Sequence, residues 1–150
     1  MTTQQLYDFK KLPDSKRQPS FDIGEANIVW QGKRLTSTIV FFSKGLIIAN
    51  YLKAADGSHG GGTDNDAVVI CLLKDTPDSS FDQDYIRGVT PHHFGWAFQY
   101  AGVMYYPKSG STSGTFKNGY RSIESVTKML FEDSAELELT FKAQKRIKKT

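Results

Sequence analysis

The sequence predicts an α+β domain: a strand-rich antiparallel sheet, strongly curved or partly closed into a barrel, with one main C-terminal helix and a short N-terminal helix. Three observations lead there. In residues 91–107, PHHFGWAFQYAGVMYYP, the aromatics Phe94, Trp96, Phe98 and Tyr100 alternate with Gly95, Ala97, Gln99 and Ala101. A period of two places those four rings on one side of a strand. After Ser122, a capping residue, Ile123, Val126, Met129 and Leu130 recur at the spacing of one helical face. The aromatic fraction of 13% together with 13 glycines favours sheet over helix bundle. A chain of 150 residues makes about one domain, able to bury roughly two-thirds of its unfolded surface.

Taken in order, Thr2 or Thr3 can cap a short helix carrying Leu6 and Phe9 on one side and ending at Pro13. Residues 13–19 read as a loop. Residues 21–30 form a strand bulged at Gly24, and Gln31, Gly32 and Lys33 turn the chain into a second strand over residues 35–42. Ser43, Lys44 and Gly45 turn it again into a return strand over residues 46–52, giving a meander with short connections. Residues 53–66, KAADGSHGGGTDND, hold four glycines, three aspartates and a histidine, a composition that resists ordering.

Residues 67–73, AVVICLL, are apolar without alternation and read as a central strand covered on both faces. Residues 74–84 are a polar loop and residues 85–89 a short strand leading to the aromatic hairpin, whose second arm begins at Val103. Residues 108–119, KSGSTSGTFKNG, form a second Gly/Ser-rich loop, broken at most by an edge strand at Thr115 and Phe116. The main helix follows, and residues 135–141, AELELTF, close the fold as a strand. Residues 142–150 are a solvated basic tail, and the chain forms a single domain over residues 1–150.

The single cysteine, Cys71, sits in an apolar run and excludes both an intramolecular disulfide and a cysteine-based zinc site. No run approaches the roughly 20 apolar residues of a membrane span, and residues 1–11 carry no apolar signal core. The expectation is a cytoplasmic protein without a membrane partner. A formal net charge of +3 mildly favours anionic partners.

No cofactor is expected, because the glycines of residues 57–62 open a strand, whereas a P-loop or dinucleotide fingerprint opens a helix. Their amides, those of Gly60, Gly61 and Gly62 above all, can still converge on an anion. Asp56, Asp64 and Asp66 are candidate oxygen ligands for a hard cation, although the EF-hand spacing is absent. His92, His93 and His59 are candidates for the acid and base of a phosphodiester cleavage. The most informative set combines rings with cations. Tyr105 and Tyr106 can stack on a base while Lys108 or Arg121 holds phosphate. The function expected is thus a non-catalytic binding module for a phosphate-bearing ligand, a small nucleotide or RNA or single-stranded DNA. A protein-binding inhibitor or immunity-type partner is the first alternative and a small histidine-dependent nuclease the second. The sequence leaves room for a homo-oligomer.

Overall fold

The computed structural model describes residues 21–54, 66–90 and 95–146. Every regular element among them is a strand: β1 (Ile23–Trp30), β2 (Lys33–Ser37), β3 (Ile39–Ser43), β4 (Leu46–Asn50), β5 (Lys53–Ala54), β6 (Ala67–Cys71), β7 (Ser80–Ile86), β8 (Ala97–Tyr100), β9 (Val103–Tyr105), β10 (Ser109–Lys117), β11 (Ser122–Leu130) and β12 (Glu136–Gln144). They form two antiparallel sheets that do not close into a barrel. The larger runs β5-β2-β1-β12-β11-β10-β7 and the smaller β3-β4-β6-β8-β9. The α+β class and the barrel are therefore corrected to an all-β architecture of two sheets. The N-terminal helix expected around Leu6 and Phe9 lies outside the described residues.

The main C-terminal helix is corrected to β11, and the reason is in its inward-facing residues. Ile123, Ser125, Thr127 and Met129 are all buried, while Val126 is 41% exposed. Two of the four inward positions are hydroxylated, so the apolar alternation was broken and the remaining apolar residues fell by accident at helical spacing. Thr127 is satisfied inside by a hydroxyl pair with Thr112 of β10, 2.8 Å away. β-branched Ile123, Val126 and Thr127 fit the pleat of a strand better than a helix turn.

The supposed loop of residues 108–119 is β10, an interior strand paired on one side with β11 and on the other with β7. Its glycines answer to packing. A Cβ on Gly110 would lie 2.7 Å from Cζ3 of Trp96, so the indole rests where a side chain would otherwise stand. The polar loop of residues 74–84 likewise ends early, and β7 begins at Ser80. At Gly24 there is no bulge: the β1–β12 pairing runs unbroken from Ile23 opposite Gln144 to Trp30 opposite Leu137.

Two sheets are joined by a bent hairpin. Residues 35–42, expected as one strand, break at Thr38, so that β2 lies in the larger sheet and β3 in the smaller. The returning arm bends at Tyr51, whose φ is +55°, and carries the chain from β4 back to β5 beside β2. Ser37 secures the corner: its hydroxyl donates to the Asn50 carbonyl and accepts from the Ile39 amide at 2.9 Å. Hairpins β1–β2 and β8–β9 turn on Gln31–Gly32 and Ala101–Gly102, both with positive φ at each central residue, the backbone twist that a two-residue hairpin needs.

Aromatic rings fill the space between the sheets. Trp30 meets Phe98 edge-on at 5.1 Å and Phe131 at 5.1 Å, while Trp96 stacks flat on Tyr85 at 4.6 Å. The rings of Trp96, Phe98 and Tyr100 thus face the core, as the alternation implied, and all three are buried. Burial pushes the Tyr85 phenol above its ordinary value near 10, outweighing a bond with the Trp96 main chain that acts in the opposite sense. Below pH 10 the phenol is neutral both folded and unfolded, and it contributes no pH dependence. Above pH 10 the unfolded chain ionises first, so stability falls as pH rises toward the higher folded value. Urea melts between pH 9 and 11 should show a shallower alkaline decline for Tyr85→Phe than for the parent; equal slopes would mean that Tyr85 does not resist ionisation.

Candidate functional site

The expected site does not assemble as one place. Lys108 precedes β10 and Arg121 follows the turn after it, and the nine residues of that strand at about 3.3 Å each separate them by roughly 30 Å. Tyr105 is half-buried against Trp30, Phe98 and Phe131, so its ring belongs to the core. Tyr106 is 36% exposed, and its carbonyl accepts from Nη1 of Arg87 at 2.9 Å. The second nitrogen of that guanidinium pairs with Glu132. Phe116, expected on an edge strand, is buried against Phe42, Phe81 and Tyr120.

Gly60, Gly61, Gly62, His59, Asp56, Asp64, His92 and His93 lie outside the described residues. Asp66 is described, and its carboxylate is occupied: it accepts from the amides of Ala101 at 2.9 Å and Gly102 at 3.3 Å. That is a brace for the β8–β9 turn. Among the described residues no group of three His, Cys, Asp or Glu side chains is placed to hold a metal ion. No helix among them is long and apolar enough to cross a membrane.

A different place gathers polar chemistry. At one end of the larger sheet's outer face a groove of about 700 Å³ opens over β1, β12, β11 and β10. Strand register builds it in rows. Glu25 lies opposite Lys142, Lys142 opposite Glu124, and Glu124 opposite Thr115. Ile23, Gln144, Ser122 and Lys117 form the next row by the same pairings. Alternation turns each of these side chains outward. Lys142 Nζ stands 3.2 Å from Glu124 Oε1, a pair that leaves Lys117 without a carboxylate partner among the described residues.

Lys117 and Lys142 are the cations that line the groove. The Lys145 amide donates to the Arg121 carbonyl at 2.8 Å and the Arg121 amide to the Lys117 carbonyl at 3.0 Å, which sets Arg121 beside the groove end. Arg146 closes the same corner, its Nε donating to the Phe21 carbonyl at 2.6 Å. The β10–β11 turn that presents Arg121 is itself pinned by Asp78, whose carboxylate accepts from Gly119 at 2.7 Å and Tyr120 at 3.0 Å. Residues 142–146, expected within a loose tail, are bound into this corner as the end of β12 and its continuation.

No protein-family model, curated protein or solved structure matches the chain. The groove and its charges are thus the whole basis for a functional reading. Its residues were visible in the sequence, but reading residues 122–130 as a helix and 142–150 as a tail scattered them. Period-two alternation through ELELTFKAQ, extended past Phe141, is the signal that would have aligned Lys142 and Gln144 with Ser122 and Glu124.

Proposed function

We propose that this protein is a binding module for a phosphate-bearing ligand, and that the ligand lies at the groove end of the larger sheet. One observation carries the reading: Lys117 and Lys142 line a groove of about 700 Å³, within the size range of small-ligand sites, and the main chain of Arg121 is bonded to that of Lys117 at its end. Lys117 and Arg121 supply the charge, being exposed and held on a rigid hairpin. Hydroxyls of Ser122, Thr115 and Thr38 and the amide of Gln144 line the groove and can orient sugar or phosphate oxygens. Glu25 and Glu124 set a limit on total anionic charge, favouring a small nucleotide or a short single strand over a duplex.

The test is a titration of the protein with nucleoside mono- and triphosphates and with short RNA and DNA single strands across a range of salt. Binding should weaken as salt rises, because phosphate contacts release counterions. Lys117→Ala and Arg121→Ala should each weaken it and flatten the salt slope by about one. Tyr106→Ala and Lys108→Ala, some 30 Å away along β10, should leave it unchanged. A parent protein that binds none of these ligands would rule the reading out.

A further inference from the structure

The groove carries a charge that a phosphate does not explain. Glu25 lines it and is exposed, and the strand register sets it opposite Lys142. That ammonium is taken by Glu124 on the other side, at 3.2 Å, so Glu25 has no ion-pair partner among the described residues. Arg146, two residues beyond Gln144, bonds through Nε to the Phe21 carbonyl at 2.6 Å and makes no ion pair with Glu25. A bare carboxylate repels phosphate, and in a phosphate site it needs another use. Its neighbour suggests one. Ile23 stands two places along β1 on the same face, 46% exposed and lining the same groove.

Register gives the groove a direction. Ile23, Gln144, Ser122 and Lys117 lie in one row across β1, β12, β11 and β10, three strand spacings or roughly 14 Å from end to end. Along that row the chemistry passes from an apolar side chain through a carboxamide and a hydroxyl to an ammonium. A nucleoside phosphate laid along it has its base face on Ile23, its ribose beside Ser122 and its phosphate at Lys117. Glu25 then meets the edge of the base. An ionised carboxylate only accepts hydrogen bonds, and its two oxygens can take two parallel N–H groups. Guanine offers such a pair, from its ring N–H and the adjacent amino group. Adenine and cytosine set their amino group beside a bare ring nitrogen, and uracil has one N–H between two carbonyls. The Gln144 side chain, on the next strand, has an N–H to give to the guanine carbonyl.

Resting on the phosphate-binding reading above, we propose that the groove selects guanine, with Ile23 under the base, Glu25 and Gln144 on its edge and Lys117 at the phosphate. The test is calorimetric titration of the full-length protein with guanosine, inosine, adenosine and uridine monophosphates, with ribose 5-phosphate, and with short uridine strands carrying one guanine or none. Guanosine monophosphate should bind about tenfold or more tighter than the adenosine and uridine compounds, with inosine monophosphate, which lacks the amino group, in between. Glu25→Gln should weaken guanosine monophosphate and leave the adenosine compound equal or tighter, since it also removes a negative charge. Ile23→Ser should weaken every nucleotide and spare ribose 5-phosphate. A guanine preference seen with the monophosphates makes the ligand a free nucleotide; one seen only in the strands makes it a guanine within a single strand. Equal binding of all four monophosphates and of ribose 5-phosphate would overturn the base assignment and leave the phosphate reading standing. So would a Glu25→Gln protein that binds all four more tightly to the same degree, which would make Glu25 a repellent only. Binding of none of these ligands would overturn both. If a variant fails to fold, the parent's order of guanosine, inosine and adenosine compounds decides alone.

Discussion

Trp96→Ala should lower stability by about 3 to 5 kcal/mol, the range for truncating a large aromatic in a packed interior. Trp96 is 1% exposed and joins three elements at once. Its ring lies flat on Tyr85 of β7, its Nε1 donates to the Cys71 carbonyl at the end of β6 at 3.0 Å, and its edge covers Gly110 of β10. Both sheets thus meet on one side chain. Alanine leaves a cavity, removes the donor to Cys71, and bares a glycine that has no side chain of its own to refill the space. For a domain of this size the midpoint of thermal unfolding should drop by on the order of 10 °C. Trp96→Phe, which keeps a ring against Tyr85 and loses the hydrogen bond, should cost markedly less. A Trp96→Ala protein that melts with the parent in calorimetry would show that the ring is not part of the core.

How far such packing can be read from sequence depends on whether burial and polarity agree. They agree in β6, where AVVIC is apolar at every position and all five residues are buried, and in the aromatic strand β8. They disagree in β10 and β11. There the partner sheet supplies bulk, so Gly110, Thr112, Ser125 and Thr127 occupy inward positions with small or hydroxylated side chains. A pattern rule that equates inward with apolar then sees a loop and a helix. The candidate site suffered twice from this, because its side chains stand on the outward positions of the same strands. Lys108 and Arg121 were noticed as cations, but only the strand register shows that Lys117 belongs with Ser122 and Gln144, and that Lys108 does not. Turn geometry was legible by contrast, since Gly32 and Gly102 follow from the positive φ that two-residue hairpins demand.

The end of the chain gives the second large effect. Asp22 is 5% exposed, and its Oδ2 accepts from Lys145 Nζ at 3.1 Å and from the Phe42 amide at 2.8 Å. The same ammonium donates to the Phe42 carbonyl and lies 4.2 Å from the Phe42 ring centre and 4.8 Å from that of Phe41. Residues far apart in sequence are thereby tied where β1, β3 and β12 converge. Asp22→Ala should cost about 3 kcal/mol, at the lower end for breaking a buried pair because the Lys145 side chain keeps 27% of its surface in solvent. It strands the ammonium and leaves the Phe42 amide without its acceptor. Replacing both partners together, Asp22→Leu with Lys145→Met, should recover most of that loss, since removing a whole buried pair is often near neutral. Chain shortening gives an independent check by denaturant melts. Ending the chain after Arg146 keeps every one of these bonds, whereas ending it after Gln144 removes the ammonium and should reproduce the Asp22→Ala loss. Equal stability of the two shortened chains would show that the pair holds nothing together.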